Sequence, residues 1–379
     1  MKIIQTLFVF ICLLFFTGIV ALITLLNGLM HYKGLLLVVP ISLFLLFTCL
    51  IFEWFTTKQR KAWFAGIMGV ALVSASIAPI QYHYKMNIPT VDAEIDVFAY
   101  EPFAAQNKVV KSKASLQLQE PLPRIDGATA MYPLYAAFVE ATYPKKSYPS
   151  DESEVMVNRT PVAYHNLIYE DVDLIFAAAP SASQQKRADM RGQTLNLTPI
   201  GREAFVFFVH HKNSVDNLTL AQVKQMYAGE ITNWREVGGA DDTIRAFQRP
   251  ADSGSQTSLE KIMGDMPIME APAEDVATGM GGIIHEVSKY RNYKNAIGYT
   301  FRYYSTEMVG SKKIKLLSID GVAPTKENIR NGTYPLTSEF YAVTAGTDNP
   351  NVTRFVEWIV SEEGQTLVDK VGYVPVENF

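Results

Sequence analysis

The chain has 379 residues, 48% of them hydrophobic and only 19% charged, with two cysteines and a formal charge of −4. That composition excludes a disordered, collagen-like or disulfide-stapled chain and leaves apolar material for more than one core. The charge is unevenly spread: residues 1–85 hold six basic residues against the single acid Glu53, leaving 28 basic and 37 acidic residues in 86–379, a balance that argues against nucleic acid as a partner.

Three uncharged apolar runs come first: Ile3–Met30, Gly34–Phe52 and Ala62–Tyr82. Each is close to or above the roughly 20 residues a helix needs to cross the hydrocarbon core. Three in succession predict a three-helix membrane anchor over 1–85 rather than buried core helices. The first run is too long for a signal peptide, and no convincing small-x-small site precedes Asn27. Val9-Phe10-Ile11 before Cys12 are too bulky for a lipoprotein cleavage box, so the anchor is retained. Pro40 reads as an ordinary helix irregularity. Thr56–Lys61 carries Lys58, Arg60 and Lys61, whereas His31–Lys33 carries only Lys33. The positive-inside rule therefore expects a cytoplasmic amino terminus and everything beyond Tyr82 outside the plasma membrane. Cys12 and Cys49 both lie in apolar runs, so the exported part does not depend on disulfides.

Residues 86–123 read as a connector punctuated by Pro89, Pro102, Pro121 and Pro123, with alternation over Ala114–Leu118 suggesting a short strand. From Arg124 onward helical and strand patterns alternate. Helices are expected at Tyr132–Tyr143, Val162–Tyr169, Leu220–Tyr227, Ser255–Met263 and Val352–Ser361. Strands are expected at Asp173–Ala177, Ala204–His210, Thr243–Ala246, Ala296–Tyr299, Lys315–Leu317 and Phe340–Ala345. This order predicts an α/β domain over 124–379 with mostly parallel sheets, large enough for two lobes around a cleft. Lobe one would take 124–205 plus 300–379 and lobe two 206–299, with crossings near Arg202 and Tyr299.

Three helix starts combine a hydroxyl with a small or glycine-rich approach. In Asp126–Pro133, Gly127 and Ala128 permit a tight turn and Thr129 is placed to cap a helix with Pro133 in its first turn. In Arg159–Val162, Thr160 reads as N-cap and Pro161 as the first helical residue. In Arg249–Thr257, Ser253 and Gln256 fit a capping box, and Gly254 permits close backbone approach. A helix amino terminus offers unpaired N–H donors and partial positive charge. Three such termini facing one cleft, with Arg249 supplying a planar fork, would bind a small oxyanion. Taken singly, each start is better explained by capping alone.

Catalytic patterns are missing from the sequence. Ser253 lies in no Gly-x-Ser-x-Gly elbow or Ser-x-x-Lys pattern. His210-His211 ends a strand, where neighbours face opposite sides, and His165 and His285 stand alone without zinc spacing. Asp241-Asp242 reads as a solvated turn, and Gly279, Gly281 and Gly282 form only a loose loop. No nucleotide loop or metal motif calls for a cofactor. The expectation is a binding protein, not an enzyme.

Several ordered segments carry a family resemblance over about two-thirds of the chain, from Arg124 to the end. They are Asp126–Pro133, Val172–Pro180, Leu218–Gly238, Arg249–Ser255, Ala296–Tyr299, Asn328–Leu336 and Glu363–Pro375. This part resembles the phosphate-binding protein of bacterial phosphate ABC transporters, a two-lobed periplasmic-binding-protein fold of the second type. The resemblance implies phosphate held between lobes, an ABC transporter permease as partner, and a role in phosphate uptake. By position, Arg249 resembles the phosphate arginine, and Ser253, Gly254 and Ser255 its serine-glycine-hydroxyl donors. Thr160 falls on the family's hydroxyl at the second helix start, Thr129 and Ala130 fall in the first phosphate loop, and Asp252 falls where it would orient Arg249. One position departs. The family reads Val-Asp-x-x-x-x-Asp-x-Pro, and Val172–Pro180 has Ala178 in place of the second aspartate, which would accept a proton from phosphate and repel sulfate. Asp126 of the first loop is one substitute; the alternatives are relaxed selectivity, weaker affinity or a different ligand. An anion-sensing receptor and a structural surface protein that lost its ligand remain as alternative functions.

Overall fold

A computed structural model of the protein describes residues 1–26, 32–86, 90–91, 96–270, 290–291, 294–310 and 312–376. The chain divides into two units, Met1–Ile88 and Pro89–Phe379. The first contains α1 (Lys2–Leu26), α2 (Lys33–Ile51) and α3 (Lys58–Met86), with Pro40 and Pro79 inside the second and third. All three are long and apolar enough to cross a membrane. Their large side chains, among them Phe8, Phe15, Leu37, Trp63 and Val70, are exposed. In water that surface would forgo about 25 cal/mol per Å² of burial, so lipid is the solvent that suits it. At one end Lys2 pairs with Glu53 at 3.0 Å, and Arg60 donates to the Trp54 carbonyl at 3.3 Å. Elsewhere the Tyr32 hydroxyl meets a His83 ring nitrogen at 2.5 Å. The end of the first apolar run, from Asn27 to Met30, lies outside the described residues.

The second unit opens with β1 (Thr90–Val91), β2 (Ile125–Gly127), α4 (Tyr132–Thr142), α5 (Arg159–Ile168), β3 (Leu174–Ala177) and α6 (Ala182–Met190). There follow β4 (Asn196–His210), β5 (Asn217–Leu218), α7 (Leu220–Ala228), β6 (Arg245–Ala246), α8 (Gly254–Met263), β7 (Tyr290–Arg291) and β8 (Ala296–Phe301). The last stretch holds β9 (Ile314–Leu316), β10 (Ser318–Ile319), α9 (Lys326–Arg330), β11 (Thr337–Thr344), α10 (Pro350–Val360) and α11 (Glu362–Val371).

The main sheet runs β2-β3-β11-β4-β8-β6, with β9 beside β4. It is mixed, not mostly parallel as its alternating pattern suggested. The pairs β2/β3 and β6/β8 are parallel, and each spans a helical crossover; β11/β3, β11/β4, β4/β8 and β4/β9 are antiparallel. The cause is β4, which pairs with β11 up to Ala204 and with β8 from Phe205 onward. A strand shared between two halves of a sheet gathers partners that run back against it.

Two large apolar cores flank this shared strand. One gathers Ile125, Tyr132, Tyr135, Phe138, Phe176, Phe355 and Trp358. The other gathers Phe205, Phe207, Tyr227, Trp234, Leu259 and Tyr299, joined by Leu317, Ile329, Tyr334 and Leu336 from the chain beyond 300. A smaller cluster under α5 includes Tyr164, Leu167, Ile175 and Val343. The expected strand over Ala114–Leu118 is irregular chain instead: its Ser115 amide is taken by the Glu363 carboxylate at 2.9 Å and its Leu118 amide by the Thr142 carbonyl at 2.8 Å. With those donors satisfied by single groups, no ladder forms. Gly279, Gly281, Gly282 and His285 lie outside the described residues.

Candidate functional site

The first loop leaves β2 at Gly127, where a Cβ would stand 2.7 Å from the Phe176 carbonyl oxygen and 2.8 Å from the Tyr135 ring. Only glycine fits that approach. Thr129 and Ala130 lie in a single 3₁₀ turn, Thr129–Met131, ahead of α4. The N-cap of α4 is Met131 and has no side-chain cap, so Thr129 does not cap this helix, although Pro133 does occupy its first turn. The Ala130 carbonyl accepts the Tyr373 hydroxyl, which pins the turn from the far end of the chain.

Asp126 is buried and fully engaged. One carboxylate oxygen accepts the amides of Gly127 at 2.7 Å and Asn158 at 2.8 Å; the other accepts the side-chain amides of Asn158 at 3.1 Å and Asn166 at 2.8 Å. Burial pushes its pKa above the ordinary carboxylate value, and these bonds pull the other way. It ties the first loop to the start of α5.

That tie shifts the start of α5 upstream of the position expected. Its N-cap is Asn158, not Thr160, and Arg159 takes a φ of 65°. Thr160 is buried within the first turn, with Pro161 behind it. At the third start Ser253 is the N-cap of α8, and its Oγ accepts the Gln256 amide at 3.3 Å. The return half of the expected box is absent because the Gln256 carbonyl oxygen accepts the Arg249 amide at 3.1 Å and the Tyr299 hydroxyl instead. The Arg249 amide also reaches the Tyr299 oxygen at 2.9 Å. Ser255 lies in the same first turn, where amides have no intrahelical acceptor.

Arg249 is half-buried as a whole residue. Desolvation lowers its pKa from the ordinary arginine value; Tyr304 and Tyr299 oppose the shift, and the like charge of Arg159 adds to it. A bound anion would relieve both unfavourable contributions. Asp252 does not orient Arg249 through any bond described. Its φ is 62°, and its carboxylate faces α6, accepting Ser181 Oγ at 2.6 Å, Ser183 Oγ at 2.5 Å and Arg187 at 3.2 Å. Burial alone would raise the Asp252 pKa, but the two hydroxyls and Arg187 outweigh it and hold it below the usual range.

These loops converge on one cavity of about 30 Å³, lined by Ala128, Ala130, Thr160, Ala178, Gly254 and Tyr304 on the loop side. That is room for about two water-sized spheres, the scale of a small ion rather than an extended organic solute. A Cβ built on Gly254 would lie 3.2 Å from Thr160 Oγ1 and 3.6 Å from the Ala178 Cβ, so the second and third helix starts meet face to face. Thr129, Arg249, Ser253 and Ser255 flank the cavity in sequence without lining it. Glu203 and Glu339 close it from the sheet side. Glu203 accepts the amides of Ala204 and Tyr303, each at 2.9 Å, and stands 3.6 Å from Arg302 Nε. Burial pushes it up to about 7, against the pull of Arg302 and both amides.

Sequence reasoning missed Arg159, Tyr304 and Glu203. Arg159 carried a signal, a cation beside a capped helix start; Tyr304 and Glu203 reach the cavity only through tertiary packing. The rings of His210 and His211 stack with centroids 4.4 Å apart, because β4 ends at His210 and the chain turns there. Among the described residues no group of three or more His, Cys, Asp or Glu side chains is placed to hold a metal.

Residues 112–363 match the PBP superfamily domain, more than half of the chain. The chain belongs to the PBP superfamily. Within it, the chain is similar to the phosphate-binding protein PstS of Bacillus subtilis strain 168, 30% identical over 165 residues that cover 43% of this chain and 52% of that one. It is also similar to PstS of Borreliella burgdorferi, 25% identical over 187 residues that cover 48% of this chain and 66% of that one. The aligned segments thus span about half to two-thirds of these relatives. A Clostridium perfringens structure, described as a candidate phosphate ABC transporter substrate-binding protein with bound phosphate, superposes with a TM-score of 0.50 at 25% identity. It covers 67% of this PBP superfamily chain and 98% of its own.

Proposed function

We propose that this protein is a membrane-anchored extracytoplasmic solute-binding protein that captures inorganic phosphate, or a similar oxyanion, between two lobes of residues 124–379. One observation carries the reading: Thr160 and Gly254, from separate helix starts, meet at a cavity of ionic size, with Arg249 within electrostatic reach of its Tyr304 wall. Donors are Thr160 Oγ1, the first-turn amides around Gly254 and Ser255, Ser253, and the turn at Thr129 and Ala130. Relatives and a solved structure named for phosphate binding support that ligand. Residues 124–205 with the carboxy-terminal stretch from β11 onward form one lobe and 206–299 the other, to which Leu317, Ile329, Tyr334 and Leu336, expected in lobe one, belong by packing; the lobes close as the anion contacts both.

The role is uptake, with an ABC transporter permease as partner, and no catalytic step is required of it. The chain lies in the plasma membrane through α1–α3. Lys2, Lys58, Arg60 and Lys61 fall toward the Glu53 end of that unit, which the positive-inside rule assigns to the cytoplasm. The test is calorimetric titration of the full chain and of Arg249→Ala with phosphate. The variant should bind at least about tenfold more weakly, since a charge-assisted bond contributes ~1.5–3 kcal/mol; equal affinity would remove Arg249 from the site.

A further inference from the structure

We infer that the site admits tetrahedral dianions as a class, fully ionised sulfate as well as hydrogen phosphate. The inference rests on the anion-capture reading above and concerns which anions that site accepts. A protonated phosphate carries an O–H that needs an acceptor, whereas sulfate presents acceptors only. A site that holds a fixed partner for a substrate hydroxyl rejects the analogue lacking it by roughly 10⁴–10⁵. Here the wall facing Gly254 is Ala178, whose methyl group offers no acceptor. In the first loop, Asp126 spends both oxygens on Gly127, Asn158 and Asn166. Asp252 faces Ser181, Ser183 and Arg187.

Two carboxyl groups do line the cavity, both from the sheet and neither from the three loops. Glu203 is bound to two backbone amides and paired with Arg302, and Glu339 on β11 accepts the Tyr341 hydroxyl at 3.2 Å. On the loop side the carboxylates are turned to other partners and two cations come together. Arg159 opens α5 and Arg249 precedes α8, close enough for each to act on the other and on the Tyr304 hydroxyl. Two like charges brought together from facing elements favour a ligand of charge −2 between them. The hydroxyls of Thr160 and Ser253 can donate to sulfate or accept from phosphate by rotation, so they reject neither.

The experiment is calorimetry on the full chain in detergent, dialysed free of co-purified anion, with sodium sulfate and sodium phosphate titrated separately and in competition. Sulfate should bind one-to-one within about tenfold of phosphate and compete for the same site. Ala178→Asp should then weaken sulfate at least about a hundredfold relative to phosphate. Phosphate binding with sulfate rejected more than about a hundredfold overturns the inference but leaves the capture reading standing. Glu203→Gln and Glu339→Gln would in that case locate the hidden acceptor. Silence from both anions overturns both readings.

Discussion

At the scale of single residues, the site is organised by side chains that never line the cavity. Gln256 and Tyr299 hold the main chain of Arg249, and Asp126 fastens the first loop to α5 through three hydrogen bonds, to Asn158 and Asn166. Glu203, by contrast, lines the cavity while it braces the sheet wall, and it titrates in the neutral range, which gives it a pH signature. Its folded pKa, about 7, lies above its ordinary 4.5. The native state therefore holds a proton the unfolded chain releases, and the contribution to stability is full below about pH 4.5 and lost as pH rises through about 7. Chemical denaturation between these limits should show stability falling with pH in the wild type, and a flatter profile in Glu203→Gln. Identical slopes would mean that Glu203 is ionised throughout.

At the scale of elements, α6 and the approach to α8 are joined by a clasp. Ser181, Ser183 and Arg187 donate to the Asp252 carboxylate, and Gln184 Nε2 donates to its carbonyl at 3.1 Å. Asp252→Asn keeps an acceptor oxygen and tolerates the left-handed φ, but removes the charge. It should cost about 1–2 kcal/mol in thermal unfolding, part of it shared with Arg187→Ala in a double-mutant cycle. A melting curve that does not move would show the clasp to be incidental.

The elements also show where sequence was readable. Tyr132–Tyr143, Val162–Tyr169 and Ala296–Tyr299 differ from α4, α5 and β8 only at their ends, because apolar periodicity there faces a single core. β4 runs back to Asn196, beyond the expected Ala204, with a bulge of its own: Phe340 faces Gly201 and Tyr341 faces Pro199, which leaves Ile200 as the extra residue and breaks the alternation a strand is read from. α6 is polar outside and carried too weak a stripe to be seen, whereas α11 was missed although Leu367, Val368 and Val371 make a clear buried stripe on it. The caps failed by two residues each, at Thr129 and Thr160; at the second, the real boundary is set by Asp126 and by an Arg159 with positive φ. No local pattern can report that Tyr304 faces the same cavity as Thr160, since that contact exists only once β4 and β8 have paired.

At the scale of the whole molecule, the proposal places a small-anion site in a unit built around one shared strand, in a chain that also carries three apolar helices. Charge supports the division of labour: basic residues concentrate in 1–85, while 86–379 is net acidic. An acidic surface repels anions at long range, so capture relies on local cations and helix-start amides instead. The most direct test is titration of the anion-free full chain with phosphate. The account predicts saturable one-to-one binding of about micromolar affinity or tighter, −8 kcal/mol or so. The absence of any phosphate-dependent heat would contradict it.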